Sequence, residues 1–407
     1  MVRKRRRRSA SRRNSIASNM RINDYFDYSL LFITLFLVCF GLIMIYSTSS
    51  YIAQRDFNDA TIFFRGQAIA AILGIFAMLF ISRVDYRILR KKFKKFNINL
   101  AFSLYGVCVI LQVYVLFFGM ESHGKRRWIN LGFTTFQPSE LSKVAMIIFM
   151  SYLIQKAPRT LDTMWGFMLC FAISLPIIIP IALANLSTAI IVSAIVVVIC
   201  FVASRKTWYY YLFAVAFGLA VAAYIFLGSQ SYRAERIAVW QNVETEPKGY
   251  QILQGLYAIA SGGLFGTQLG ESKQKLGYIP EAHNDMIFTV ICEELGLFGA
   301  VSVMLLFVLL LYRIFIIGLN ANDLFGSLIC VGVFAHIAVQ VILNIAVVTN
   351  AVPSTGVPLP FISYGGTSVS ILLAEIGIVL SVSNQMYTSK KSNDSDRRIR
   401  EKETSEE

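Results

Sequence analysis

Apolar residues in this chain neither recur at helical spacing on one face nor alternate as in a half-buried strand. They fill whole segments, parted by short polar stretches, and ten of these approach the roughly 20 residues that span a bilayer. The segments are Tyr28–Tyr46, Ile62–Ile81, Ile98–Phe118, Leu141–Ile154, Met164–Leu183, Leu186–Ala203, Tyr210–Leu227, Met286–Phe315, Gly326–Val348 and Ser368–Met386. The fourth is short and is expected to begin within the polar stretch before it; if it is re-entrant, nine segments cross. The eighth is long enough to tilt or project.

Composition agrees. The chain has 407 residues, 56% hydrophobic and 15% charged, with a mean hydropathy of +0.59. Soluble domains run at about 45–50% apolar and about 25% charged. A water-soluble enzyme, a secreted disulfide scaffold and a largely disordered chain are excluded. The predicted class is an all-α polytopic membrane protein with about ten transmembrane helices.

The net charge of +14 invites a nucleic-acid reading, which the placement of the charges opposes. Arg3, Lys4, Arg5, Arg6, Arg7, Arg8, Arg12, Arg13 and Arg21 precede the first segment. Arg83, Arg87, Arg90, Lys91, Lys92, Lys94 and Lys95 share one short loop. Basic residues beside spans mark the cytoplasmic side and meet anionic lipid. With both termini in the cytoplasm, most of the 38 Lys and Arg fall on that side. No nucleic-acid partner is expected. The basic stretch is too long for a signal-peptide n-region and no small-residue cleavage site follows, so the first segment is expected to be retained. Residues 1–27 and 387–407 read as disordered tails around a membrane domain of residues 28–386. All six cysteines fall in apolar segments without a C-x-x-C pair, and the three histidines show no zinc spacing.

This orientation places four loops outside. Ser47–Thr61 reads as an ordinary polar loop. Gly119–Glu140 and Thr349–Thr367 are richer in Gly, Pro and charge. The long loop Gly228–Asp285, between the seventh and eighth segments, is too small and polar for an independent domain and is expected to lie on the bundle. Its glycine-rich stretch Ser261–Gly266, followed by the lysines of Gly270–Leu276, does not match G-x-x-x-x-G-K-[ST], and no strand precedes it. Pro353, Pro358 and Pro360 forbid a regular helix through Thr349–Thr367, while Gly365 and Gly366 admit close backbone approach. Non-helical backbone at membrane depth survives only against protein or a water-filled cavity. A re-entrant loop roofing such a cavity is therefore expected.

Ionisable residues at span ends point to the same cavity. Glu140 and Lys143 are three apart and share a helix face. Asp285 stands where the long loop enters the eighth segment, which also holds Glu293 and Glu294. Arg65 lies in the second segment and Glu375 in the tenth. A charge inside a membrane costs at least ~2.5–3.5 kcal/mol, so each is kept for a reason. The alternative to a polar cavity is internal ion pairing that fixes helix packing.

Several stretches, in order, resemble the SEDS family, the shape, elongation, division and sporulation proteins FtsW, RodA and SpoVE. They are Gly124-Lys125-Arg126-Arg127-Trp128-Ile129-Asn130-Leu131-Gly132, Phe136-Gln137-Pro138-Ser139-Glu140-Leu141-Ser142-Lys143, Gly249-Tyr250-Gln251, Ile279-Pro280-Glu281-Ala282-His283-Asn284-Asp285, Glu293-Glu294-Leu295-Gly296 and Pro358-Leu359-Pro360-Phe361-Ile362-Ser363-Tyr364-Gly365-Gly366. Glu281–His283 and Ser272–Leu276 look like the division branch, FtsW; Val357–Pro360 looks more like the elongation branch. The family often has Pro-Asp-Leu-Gly-Thr where this chain has Ala184-Asn185-Leu186-Ser187-Thr188, so a role for an acid there is in doubt. Asn284 and Met286 replace the Thr and Phe that usually flank the key Asp.

The resemblance implies a peptidoglycan glycosyltransferase. It would polymerise lipid II on the outer face of the bacterial cytoplasmic membrane, at the division septum if of the FtsW type. A class B penicillin-binding protein and other divisome membrane proteins are the implied partners. The reaction joins a sugar hydroxyl to an anomeric carbon bearing a lipid pyrophosphate. It needs a base and cations but no acid for the leaving group. Asp285 is the candidate base, at the position of the family's catalytic Asp. Candidate substrate and phosphate contacts are Lys143, Glu140, Arg233, Arg236, Lys125, Arg126, Arg127 and Ser363. A divalent cation, Mg2+ or Mn2+, would bridge phosphates, with Glu140 and Asp285 as possible ligands and no organic cofactor. Phe288, Leu297, Phe298, Leu305, Phe307 and Phe315, with Gly296, Gly299 and Ala300, offer a partner-helix contact on the eighth and ninth segments. The rivals are a lipid II flippase or ion-coupled carrier, an elongation-type polymerase and a recruiting scaffold.

Overall fold

The computed structural model describes residues 26–91, 99–122, 125–130, 132, 135–227, 238–246 and 249–406. The basic N-terminal stretch, Arg233 and Arg236 lie outside the described residues. Among the described residues, ten long helices correspond one for one to the ten apolar segments: α1 (Tyr28–Phe57), α2 (Ile62–Arg83), α3 (Leu100–Phe118), α4 (Pro138–Lys156), α5 (Met164–Ala184), α6 (Leu186–Ala203), α7 (Trp208–Leu227), α9 (Ile287–Asn320), α10 (Leu324–Val348) and α11 (Gly366–Glu406). A shorter helix, α8 (Tyr250–Ser261), lies in the long loop. Eight of the ten are long and apolar enough to cross a membrane, which makes the chain a multi-pass membrane protein.

The fourth helix does begin early, at Pro138 in its first turn, where the missing amide costs nothing. Its polar residues tolerate this position because most of its surface, including Glu140 and Lys143, is enclosed by neighbouring helices. Helix α1 runs eleven residues past the expected Tyr46 end. The loop expected from Ser47 is helical because its hydroxyls are satisfied inside the bundle. Thr48 donates to the Met44 carbonyl at 2.8 Å, Ser49 donates to that of Ile45 at 2.7 Å, and Ser47 donates to the Glu294 carboxylate at 2.7 Å. Helix α11 departs from expectation in the other direction. It continues to Glu406 through the stretch expected to be disordered, which contains neither Gly nor Pro to stop a helix. A small antiparallel sheet, which the all-α reading did not include, follows α3: β1 (Met120–Ser122), β2 (Lys125–Asn130) and β3 (Thr135–Phe136) in that order.

Two ends of the bundle are distinct. At one, Arg313 on α9 pairs with the Asp27 N-cap of α1 at 2.7 Å, and Arg90 pairs with Asp323, the N-cap of α10, at 3.0 Å. Tyr86 donates to the same Asp323 carboxylate at 3.0 Å. Charges concentrated here agree with the expected cytoplasmic face. The opposite end carries the sheet, α8 and a non-helical segment, residues 349–365. That segment turns back into the bundle, with Val357, Leu359, Phe361 and Ile362 fully buried. It lies directly on α1, where a Cβ at Gly41 would stand 2.5 Å from the Phe361 carbonyl oxygen and 2.8 Å from the Ile362 Cα.

Gly41 is thus the surface against which the re-entrant segment is cast. Gly41→Val should displace that segment and destabilise the protein by at least about 1–3 kcal/mol, the usual cost of overpacking. Thermal unfolding in detergent should show a lower Tm than Ala at exposed Ile43.

Candidate active site at the loop end of the bundle

A row of polar side chains on α10 organises this end. His336, Gln340 and Asn344 are spaced four apart on one face, and all are fully buried. Asn344 donates to the carbonyls of Asp285 and Val357, each at 2.8 Å. Gln340 donates to the Pro358 carbonyl at 2.9 Å and accepts from Lys143 Nζ at 3.4 Å. His336 meets Glu375 of α11 at 2.8 Å. One helix therefore ties together the candidate base, the re-entrant segment and the buried cation.

Glu140 and Lys143 come together as their spacing requires, at 2.8 Å, and both are buried. Ser368 of α11 donates to Glu140 at 2.8 Å. On the far side of the re-entrant segment, Gln67 of α2 donates to the Ser363 carbonyl at 3.3 Å and accepts from the Gly365 amide at 3.0 Å. Ser363 is itself buried, and its hydroxyl accepts from the Leu359 amide at 2.8 Å. That hydroxyl fixes the turn of the segment.

Asp285 is half-buried at the mouth, two residues before α9. Its carboxylate faces Gly356, where a Cβ would lie 3.7 Å from Oδ2. Gly356 has φ of +64°, a conformation that favours glycine. The adjoining His283 ring packs between Phe63 and Tyr364, with centroids at 4.6 and 5.6 Å. Burial holds its pKa below the ordinary value, against a small opposing pull from Glu281.

The Lys125–Arg127 run is spread along β2 and does not converge. Arg126 is exposed and donates to the Phe117 carbonyl at 2.6 Å. Arg127 donates to the Ala184 carbonyl at 3.0 Å, at the corner between α5 and α6. That corner adjoins the mouth, because Ser187 donates to the Thr355 carbonyl at 3.1 Å. Asn185 caps α6, accepting from the amides of Ser187 and Thr188 at 3.1 and 3.4 Å. Asn and Asp cap equally well, so the missing acid is accounted for locally. Arg65 is not in the cavity; it forms a half-exposed pair with Asp59.

Glu293 and Glu294 are buried but belong to a different cluster. Lys275 pairs with Glu294 at 2.7 Å, and the Glu293 carboxylate accepts from Ser272 and from the Lys273 amide. The proposed partner contact on α9 also changes. A Cβ at Gly299 would strike the Leu295 side chain at 2.1 Å, and one at Gly296 would strike Leu264 and Gly266. These glycines serve packing within the chain, and Phe288 and Phe307 are buried; Leu297, Phe298, Leu305 and Phe315 stay exposed. Among the described residues, no three His, Cys, Asp or Glu side chains converge as a metal site. The Glu140 oxygens are already engaged by Lys143 and Ser368, so this carboxylate does not fit the part of a metal ligand. A shallow apolar recess of about 520 Å3, lined by Ile110, Leu111, Tyr114, Ile129 and Phe136, lies apart from all these groups.

The α10 row was missed in the sequence, although its signal was there: three polar residues at four-residue spacing inside an apolar run.

Two outcomes follow from this geometry. Removing either member of the Glu140–Lys143 pair leaves a buried uncompensated charge, which costs ~3–5 kcal/mol. Glu140→Ala and Lys143→Ala should each be poorly expressed or unfold at markedly lower temperature; an unchanged Tm would make the pair a solvated feature. His283 behaves oppositely to a paired histidine. Its folded pKa lies below the unfolded value of about 6.5, so the unfolded state takes the proton more readily. Stability is full above about pH 6.5 and falls as pH drops toward the depressed value. His283→Phe should flatten the dependence of Tm on pH in that window.

The chain resembles known proteins over most of its length. The family model described as "Cell cycle protein", FTSW_RODA_SPOVE, matches residues 28–388. The chain is 39% identical over 363 residues to stage V sporulation protein E of Bacillus subtilis (strain 168), covering 88% of this chain and 96% of that one. It is 35% identical over 373 residues to the probable peptidoglycan glycosyltransferase FtsW of Geobacter sp. (strain M18), covering 90% and 99%. A chain from the structure described as "Structural coordination of polymerization and crosslinking by a peptidoglycan synthase complex" superposes with a TM-score of 0.75 at 28% identity, covering 89% and 98%.

Proposed function

This chain belongs to the FtsW/RodA/SpoVE family of cell cycle proteins, and on that premise we propose that it is a peptidoglycan glycosyltransferase that polymerises lipid II at the outer face of the membrane. The observation that carries the reading is the placement of Asp285. Its backbone is pinned by Asn344 to α10, whose next buried polar residue, Gln340, accepts from Lys143 of the Glu140–Lys143 pair, and its carboxylate lies beside Gly356 of the re-entrant segment.

Asp285 takes the proton of the acceptor sugar's C4 hydroxyl as that oxygen bonds the donor's anomeric carbon. The bond from that carbon to the lipid pyrophosphate breaks, and the diphosphate leaves without needing a proton. Its charge calls for cations. Lys143, buried and directed at Glu140 and Gln340, contributes positive charge from beneath the site. Arg127 at the adjoining corner, with Lys125 and Arg126 on the same strand, supplies further positive charge. Arg233 and Arg236 remain candidates in the long loop. A divalent cation, Mg2+ or Mn2+, would neutralise charge on the pyrophosphate.

The division-type motifs and the named relatives support a septal role beside a class B penicillin-binding protein. The exposed Leu297, Phe298, Leu305 and Phe315 on α9 are the surface for that protein's membrane helix. A transporter built on paired broken helices has one interruption in each half. Here the non-helical segment 349–365 and the break in α9 at Gly296 both lie in the last third of the chain.

Purified protein, alone and with its transpeptidase partner, should convert lipid II to glycan polymer. Asp285→Ala should lower turnover by about 10²–10⁴-fold, the usual contribution of a general base, with unchanged Tm and partner co-purification. Near-normal polymer from that variant would reject the assignment.

A further inference from the structure

Helix α9 is not continuous. Gly296 has φ of +66° and ψ of −167°, outside the helical region, and splits it into residues 287–295 and 297–320. A break inside a helix strands carbonyls before it and amides after it. Here four of those groups are met by one piece of the long loop. Thr267 and Gln268 donate to the carbonyls of Glu293 and Glu294 at 3.0 and 3.1 Å. The amides of Leu297 and Phe298 donate to the carbonyls of Gly263 and Leu264 at 2.9 and 3.1 Å.

The fit excludes side chains. A Cβ at Gly262 would lie 2.0 Å from the Cys292 carbonyl oxygen, one at Gly266 2.1 Å from that of Glu294, and one at Gly296 2.4 Å from the Gly266 amide. The glycine-rich stretch Ser261–Gly266 is therefore a splice across a broken helix. Side chains lock it. Lys275 Nζ pairs with Glu294 at 2.7 Å and donates to Ser47 of α1 at 3.0 Å. Glu293 holds Ser272 and the Lys273 amide.

We propose that the segment Gly262–Lys275 is a clamp that positions the half-helix 287–295, and with it residue 285, and that Lys275 and Glu294 are positioning residues for the reaction. The break uncouples the half-helix from the membrane-spanning part of α9. Its location is then set by the loop and by α1 through Ser47. At nine residues the half-helix is about 14 Å long, short enough to move as a rigid lever. The base is at one end of it and the clamp at the other. This inference rests on the assignment of Asp285 as the base only in its kinetic consequence; the placement of residue 285 is a separate observable.

The test uses full-length protein and the neutral double variant Lys275→Met/Glu294→Gln, which removes the ion pair without leaving a lone charge. Misplacing a catalytic group by about 1 Å costs up to about 10²-fold. Turnover should fall by about tenfold or more at unchanged KM, the pattern of an interaction felt in the transition state. Tm should stay within a few degrees. The conservative Lys275→Arg should recover most of the turnover. In parallel, Asp285→Cys is labelled with a polar maleimide in both backgrounds, and the labelling rate should change severalfold when the pair is neutralised. An unchanged labelling rate overturns the clamp, as does a loss of turnover that tracks a loss of Tm. Altered labelling with normal turnover keeps the clamp and rejects Asp285 as the base.

Discussion

In a membrane interior, every backbone amide and carbonyl needs a partner within the protein. Helices meet that need by themselves, and most of this chain is helical for that reason. The site is made where the helices stop. Residues 349–365 return into the bundle without helical hydrogen bonds, and the stranded carbonyls of Val357 and Pro358 are taken by Asn344 and Gln340. Helix α9 breaks at Gly296, and the loop at Gly262–Gln268 supplies what the helix lost. Both interruptions are tolerated because another element is built to fit them. The space this creates is what a purely helical bundle would lack.

The buried charges obey the same constraint. Glu140 with Lys143, Glu294 with Lys275, and Asp27 with Arg313 each bring a partner. Each joins a span to a neighbour or closes a helix turn, so it also sets where a helix sits. Glu293 takes a different solution, an envelope of hydroxyl and amide donors from the loop. A carboxylate satisfied in this way is as well held as one beside a lysine.

These two requirements converge on Asp285. Its carbonyl is held by the same Asn344 that holds the re-entrant segment, and its half-helix is held by the loop that repairs α9. The neighbouring Gly356 lies beside its carboxylate. The result is a carboxylate whose backbone is fixed from two sides while its side chain faces the mouth.

The sequence by itself determined the ten helices, because twenty apolar residues in a row admit few other structures in a chain of this hydropathy. It determined the Glu140–Lys143 pair, since residues three apart must share a helix face, and the re-entrant segment, since three prolines forbid a helix. It located Asp285 through a motif. Only the tertiary structure decided which polar residues meet over long separations. Ser47 and Glu294, Gln67 and Ser363, and Asn344 and Asp285 are brought together by packing that no local spacing records. The same holds for glycines. Gly296 and Gly299 were legible as small residues suited to close approach, but whether they approach a partner or their own chain depends on where the long loop folds. It folds onto Gly296, because the broken helix leaves backbone groups that a nearby, side-chain-free segment can reach, while Gly299 packs on Leu295 of its own helix.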